Sequence, residues 1–413
     1  MTNFIQIRQF LPLKFISMTQ RELFFRHVGQ TSDFPLALEI YKAKDIYLYG
    51  KNKKRYIDLI SGISVSNIGH RHPKVINAIR NQLSKYLHLM VYGEFVQTPQ
   101  TKLAQALVST LPKKLDSVFF VNSGSEAVEG ALKLAKRTTG RGKVVSFQKA
   151  YHGATHGALS LGGTDEFRRS FRPLLPENYY LPFNDIDALH KIDHNTACVV
   201  LEVVQAEAGV RVAEDNFLQA VRNKCDETGA LLIVDEIQTG FGRTGTFWGF
   251  QNFGIVPDII TCAKGMGGGM PLGAFIAPKS IMHSLTHDPV LGHITTFGGH
   301  PVSCAASLAC LNVIREEKLH EAAREKGELF KTLLKHEKIK SVRGIGLMLA
   351  VEFENFDELK RIIDKAIDLG ALTDWFLFCD NAMRIAPPLT ISEEQIRKSC
   401  KLILQAIDVC SAS

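Results

Sequence analysis

Apolar residues fall into short strand-length runs separated by stretches of helical spacing. The runs lie at Ser117–Val121, 144–147, 198–204, 231–234, Ile259–Cys262 and 274–276. Helical spacing marks Val75, Ile76, Ile79, Leu83 and Leu87, then residues 98–110, then Ala127, Ala131, Leu134 and Ala135, then residues 217–228. Strands alternating with helices predict an α/β domain around a mostly parallel sheet. Beyond His300 and Pro301 the pattern changes to two long helices, a strand over GIGLMLAVEF, a helix over 357–369, a strand at 383–385 and a helix over 392–409, which predicts a smaller α+β domain. Near the start, IYLYGKNKKRYIDLISG reads as a small surface hairpin about the turn 50–53. The expected organisation is an unstructured extension over residues 1–17, an N-terminal segment over 18–73 that packs with the small domain, a large domain over 74–300 and the small domain over 301–413.

Composition narrows the function classes. The chain has 413 residues, 45% hydrophobic and 22% charged, as ordinary globular proteins do. Its net charge of +7 is spread along the chain with no run of five or six like charges, which argues against nucleic-acid binding. No apolar run reaches the ~18 to 20 residues needed to span a bilayer, and no membrane association is expected. The eight cysteines form no C-x-x-C pair and fit reduced, buried thiols of a cytoplasmic protein. Histidine pairs at 70/72, 152/156 and 283/287 have metal-compatible spacing but lack a third ligand nearby, so no metal site is expected.

The candidate chemistry sits where strands end. The run at 231–234 delivers Asp235, and Ile259–Cys262 delivers Lys264, followed by Gly265, Gly267, Gly268 and Gly269. An acid and an amine at the carboxyl edge of a parallel sheet lie where such sheets bind ligands, and glycines let backbone pass close to a flat molecule. Pyridoxal phosphate requires such a pair: a lysine for a Schiff base and an acid for the pyridine nitrogen. A structural ion pair beside a flexible loop accounts for the same two residues.

Further constellations are compatible with that cofactor. Ser123, Gly124 and Ser125, between a strand and a helix, offer amides and hydroxyls to a phosphate, although an ordinary helix cap uses the same residues. Tyr151 and His152 follow another strand, where an aromatic side chain can lie on a heteroaromatic ring or serve the core. Glu202, Gln205 and Glu207 leave an apolar strand for a loop and suggest a lined pocket. Arg384 stands alone among apolar residues and needs an anion, either a protein carboxylate or a substrate carboxylate. The chain contains no G-x-x-x-x-G-K-[ST], which argues against a nucleotide hydrolase.

Seven ordered motifs, NSGSEAVEGALKLAKR, YHGATHGA, VVQAEAGV, VDEIQTGFGRTG, AKGMGGGMPLGA, TTFGGHP and RIAPPL, resemble the class III (omega) aminotransferases of the fold-type I pyridoxal-phosphate enzymes, from about Phe34 to the C-terminus. The ornithine and acetylornithine aminotransferase subgroup is the nearest in appearance. The resemblance implies Lys264 as the Schiff-base lysine and proton carrier, Asp235 on the pyridine nitrogen and Gln238 on the phenolic oxygen. It places Gly124 and Ser125 on the phosphate, Tyr151 on the ring, and Thr296 on the phosphate of the neighbouring subunit of a homodimer. Arg384 would take a substrate carboxylate and Glu207 would pair with it otherwise. The implied reaction moves an amino group from ornithine, N-acetylornithine, 4-aminobutyrate, a diamine or another ω-amino donor to 2-oxoglutarate; an aminomutase, a decarboxylating transaminase and a non-catalytic binding protein are the rivals. Two positions depart from the family: Ala154 replaces an arginine expected after the aromatic-x-Gly, and Val203 replaces a common proline.

Overall fold

Seven short strands build the sheet that carries the site, and six of them overlap runs read from the sequence. In chain order they are β1 (Ser117–Val121), β2 (Lys143–Phe147), β3 (Asn178–Leu181), β4 (Thr196–Leu201), β5 (Leu231–Asp235), β6 (Ile259–Cys262) and β7 (Gly273–Ala277). They lie side by side as β1-β7-β6-β5-β4-β2-β3. All neighbouring pairs are parallel except those made by β7, which runs antiparallel to both β6 and β1. This is a computed structural model, and it describes residues 18–411; the extension expected over residues 1–17 lies outside the described residues.

Both faces of the sheet are covered, which explains why its strands are continuously apolar rather than alternating. Val144, Cys198, Val200, Ile233, Ile259 and Phe275 pack with Ala127, Ala131, Leu134 and Ala135 of the helix Gly124–Thr139. Val145, Phe147, Val199, Leu201, Leu232, Val234 and Ile260 belong to the main core on the other face. Neighbouring residues of one strand thus point to opposite layers, as the two-residue period of a strand requires.

Three elements differ from expectation. The run 198–204 is one apolar stretch in sequence, but β4 ends at Leu201 and the chain turns out of the sheet at Glu202 into a short hairpin of Val204–Gln205 with Arg211–Val212. Glu202 fixes that exit by accepting the backbone N–H of Tyr151 at 3.1 Å and of Ala206 at 3.4 Å. GIGLMLAVEF is not one strand but the hairpin Ser341–Ile345 and Met348–Glu352, with Gly346 at φ +58° in its turn. The strand β3 gives little sequence signal, because only Leu181 of its four residues is buried at the sheet edge.

The smaller α+β domain places that hairpin in an antiparallel sheet with Cys379–Ile385 and Trp375–Phe376, backed by the helices Phe356–Leu369 and Glu393–Ser411. The expected N-terminal surface hairpin proves to be a core element. Tyr56, Ile57 and Asp58 are buried, and Arg55–Asp58 pairs in parallel with Ala371–Leu372. Arg243, fully buried, ties three parts of the chain together by donating to Asn67 Oδ1 at 2.6 Å, to the Leu347 carbonyl at 2.9 Å and to the Pro387 carbonyl at 2.6 Å. Among the described residues no helix is long and apolar enough to cross a membrane, and no group of three His, Cys, Asp or Glu side chains could hold a metal ion.

Candidate active site

The carboxyl ends of β1, β2, β4, β5 and β6 open on one cavity of about 380 Å³. Its lining includes Asn122, Ser123, Gly124 and Ser125 after β1, Tyr151, His152 and Gly153 after β2, Glu202 after β4, Asp235, Ile237 and Gln238 at β5, and Lys264 after β6. Five separate strand ends therefore deliver the side chains that the sequence singled out, at the edge where parallel sheets bind ligands.

Asp235, the last residue of β5, is 4% exposed. Its Oδ1 accepts the Ile237 N–H at 3.0 Å and its Oδ2 meets His152 Nδ1 at 2.7 Å. Burial by itself would lower the His152 pKa. The hydrogen bond to Asp235 and the charges of Asp235 and Glu202 outweigh it and hold the imidazole above its ordinary value. His152 Nε2 is buried without a partner.

Lys264 opens a tight turn, Lys264–Gly267, with φ +47°, in the left-handed region where a side chain stores strain. Among the described residues its amine has neither hydrogen bond nor ion pair. Burial pulls its pKa down, with Arg384 adding to the effect, against the opposing pull of Glu207, Asp235 and Glu202. A lysine so placed gives up its proton more readily than a solvated one, as a nucleophilic amine must.

Also in the lining, Ser123 caps the helix Gly124–Thr139 by accepting the Glu126 N–H at 3.2 Å. The cap does not exhaust the helix end: the N–H groups of Gly124 and Ser125 have no acceptor among the described residues. Small residues keep that end open. A Cβ on Gly153, which has φ +132°, would lie 2.2 Å from Ser125 Oγ. Unpaired first-turn amides at a helix N-terminus form an anion cradle.

The third part of the site is an ion pair. Arg384 donates from Nη1 to Glu207 Oε1 and from Nη2 to Glu207 Oε2, both at 3.0 Å, with both side chains buried. Burial pushes the Glu207 carboxyl up, but Arg384, Lys264 and the Gln238 amide hold it below its ordinary range. Gln238 Nε2 donates to Glu207 Oε1 at 3.1 Å, so the side chain expected on the cofactor's phenolic oxygen is here joined to the ion pair.

Not every expected residue meets at the cavity. Thr296 is exposed in the segment before His300 and does not line it. Gln205, expected in a pocket wall, turns away and donates to the Gln148 carbonyl at 2.9 Å. Ala154 is exposed and leaves only its backbone N–H near Ser125 Oγ, at 3.3 Å. Sequence reasoning missed Ile237, whose position between Asp235 and Gln238 was a usable signal. It also missed Asp374, which accepts a hydrogen bond from Arg384 Nε at 2.8 Å and stands outside the seven motifs.

The residues present fit pyridoxal phosphate: an unpaired lysine, a buried carboxylate for a ring nitrogen and an orphaned amide cradle for a phosphate surround one cavity. Fold and site together define a pyridoxal-phosphate-dependent enzyme of fold-type I. The family model for aminotransferase class-III matches residues 28–407. The chain belongs to that family and is a pyridoxal-phosphate-dependent aminotransferase. It is 40% identical over 396 residues to the acetylornithine aminotransferase of Methanopyrus kandleri, covering 94% of this chain and 99% of that one. It is 38% identical over 379 residues to the acetylornithine aminotransferase of Aquifex aeolicus, covering 90% and 97%. Among solved structures it resembles the ornithine aminotransferase of Toxoplasma gondii, with a TM-score of 0.88, 28% identity and 96% of each chain covered. A transaminase from the marine bacterium Virgibacillus gives a TM-score of 0.87 at 27% identity, with 97% of each chain covered.

Proposed function

We propose that this aminotransferase moves the ω-amino group of ornithine, N-acetylornithine or a related donor to 2-oxoglutarate, releasing glutamate. The bidentate pair of Glu207 and Arg384, joined to the cavity lining through Gln238, carries the reading. With Glu207 in place the arginine is neutralised, and a donor can present an uncharged chain beside its amine. With Glu207 withdrawn, the same guanidinium meets the carboxylate of the 2-oxo acid or of glutamate. The relatives named acetylornithine aminotransferases support the donor class.

Bound in this cavity, the cofactor supplies a carbonyl that accepts the amino group and a ring that withdraws electrons from the substrate carbon. Lys264 holds the cofactor through its amine and, once displaced, moves a proton at its Nζ. Asp235 keeps the ring nitrogen protonated, and His152 keeps Asp235 in place. Gly124 and Ser125 take the phosphate, with Ser123 shaping the loop, while Tyr151 covers the ring and Gln238 reaches its oxygen. Thr296, exposed in one chain, completes the phosphate site of a second chain in a homodimer. Ala154 offers no charge to a second donor carboxylate, which favours donors whose other end is neutral or is held elsewhere.

A panel of amino donors with 2-oxoglutarate, read as glutamate formed by the holoenzyme, tests this. Ornithine or N-acetylornithine is expected to lead the panel. Glutamate formation only from α-amino donors, with none from any ω-amino compound, would overturn it.

A further inference from the structure

Arg384 is held by more than its expected partner. Its Nε donates to Asp374 Oδ1 at 2.8 Å, and Nη2 makes an additional bond to the Trp375 carbonyl at 3.3 Å. The Phe376 ring lies beneath the guanidinium, 4.4 Å from its central carbon. These contacts come from one short segment, which also pairs with the Arg384 backbone: the Arg384 N–H donates to the Asp374 carbonyl at 2.9 Å, and Thr373 Oγ1 donates to the Arg384 carbonyl at 2.6 Å. Glu207 takes the two Nη atoms; Asp374 takes the Nε side.

We propose that Asp374 is a positioning residue for the carboxylate site, gripping Arg384 by Nε so that its Nη1–Nη2 edge alone is offered, in turn, to Glu207 and to a substrate carboxylate. The inference rests on the reading of Arg384 as the substrate-carboxylate anchor. It follows from what remains when Glu207 withdraws. A long side chain that loses its ion pair regains rotamer freedom and must be reordered when the next anion arrives. Arg384 keeps one charge-assisted bond and one aromatic face, so its fork stays in the direction from which Glu207 withdrew. The switch then needs only Glu207 to move.

Asp374 also brings a negative charge near an arriving carboxylate, and this opposes the positioning effect. The two contributions predict opposite signs for its removal, so binding decides between them. Glutarate, a dicarboxylate without a reactive carbonyl, serves as the probe, titrated calorimetrically into the holoenzyme. Asp374→Ala is expected to weaken glutarate about tenfold, the loss of roughly one charge-assisted hydrogen bond. Asp374→Asn, which keeps an oxygen for Nε–H, is expected within about twofold of wild type by the same argument.

Unchanged or tighter binding by Asp374→Ala would overturn the proposal, as would an equal loss in Asp374→Asn, because an oxygen kept on Nε would then make no difference. If Asp374→Ala does not fold, Asp374→Ser, too short to reach Nε, carries the same expectation. Arg384→Ala separates the two readings. If it binds glutarate like wild type, the anchoring role of Arg384 falls and this inference falls with it; if it loses glutarate while Asp374→Ala does not, only the inference falls. Amino acceptors add a second readout: Asp374→Ala should depress reaction with 2-oxoglutarate more than with butanal, which has no carboxylate. An equal loss with both acceptors would mark a merely structural role and count against the proposal.

Discussion

His152 Nδ1 lies 2.7 Å from Asp235 Oδ2, and neither side chain has appreciable contact with solvent. The carboxylate at the end of β5 is therefore oriented twice, by this imidazole and by the Ile237 N–H on its other oxygen. Such outer partners fix the direction in which a functional carboxylate points.

Replacing Asp235 by Asn should remove the charge while keeping the shape. Turnover is expected to fall by about 10² to 10³-fold, the range seen when one electrostatic stabiliser is deleted from an active site. His152→Ala should cause a smaller fall and weaken cofactor binding, measured by titrating the apoenzyme. Wild-type turnover in Asp235→Asn would remove the carboxylate from the mechanism.

Lys264→Ala should abolish multiple turnovers. The variant should keep its fold, because the lysine amine makes no hydrogen bond or ion pair among the described residues, and alanine carries the same Cβ at φ +47° as the lysine it replaces. Circular dichroism and thermal melting read the fold, and glutamate formation over many cycles reads turnover. Sustained cycling by this variant would require another base.

Glu207→Ala should shift the enzyme toward carboxylates. With its competitor gone, Arg384 should bind glutamate and 2-oxoglutarate more tightly, while reaction with an ω-amino donor slows by about tenfold or more, since the Nη edge of Arg384, still held by Asp374 but left without its own carboxylate, now faces the donor chain. Separate kinetics of the two half-reactions measure this. A parallel loss in both would argue that the pair is structural.

Glu202 gives a pH signature. Burial pushes its pKa up to about 8, so above its unfolded value the folded protein binds a proton that the unfolded chain has released. Its contribution to stability therefore falls as pH rises from about 4.5 to about 8. Glu202→Gln removes that dependence, and the melting temperature of the variant should gain on wild type steadily across this window. A constant difference between pH 5 and 8 would show that Glu202 does not titrate there. The variant reports on two coupled groups, because the charge of Glu202 helps to hold His152 above its ordinary value.

The sheet was legible because five of its strands are buried on both faces and so appear as unbroken apolar runs. Asp235 and Lys264 were legible for the same reason: a charge directly after such a run contrasts with its surroundings. β3 was not, since an edge strand with one buried residue has no such contrast. The end of β4 was hidden because the chain remains apolar and buried after leaving the sheet, and only Glu202 marks the exit. Asp374 was invisible in pattern: an acid beside a tryptophan reads as a turn until the pairing of its segment with Arg384 brings the two together. The N-terminal strand was misjudged because its partner comes from the far end of the chain, and local sequence carries no sign of so distant a neighbour.

That distant pairing sets an order of events during synthesis. β1 to β7 emerge from the ribosome and can close their sheet while Arg55–Asp58 still shows one bare edge, because Ala371–Leu372 has not yet been made. An unpaired edge is a template for foreign strands, and the nascent chain carries that hazard until its last quarter is translated. Slowing translation late, rather than early, is where the yield of folded enzyme should be most sensitive.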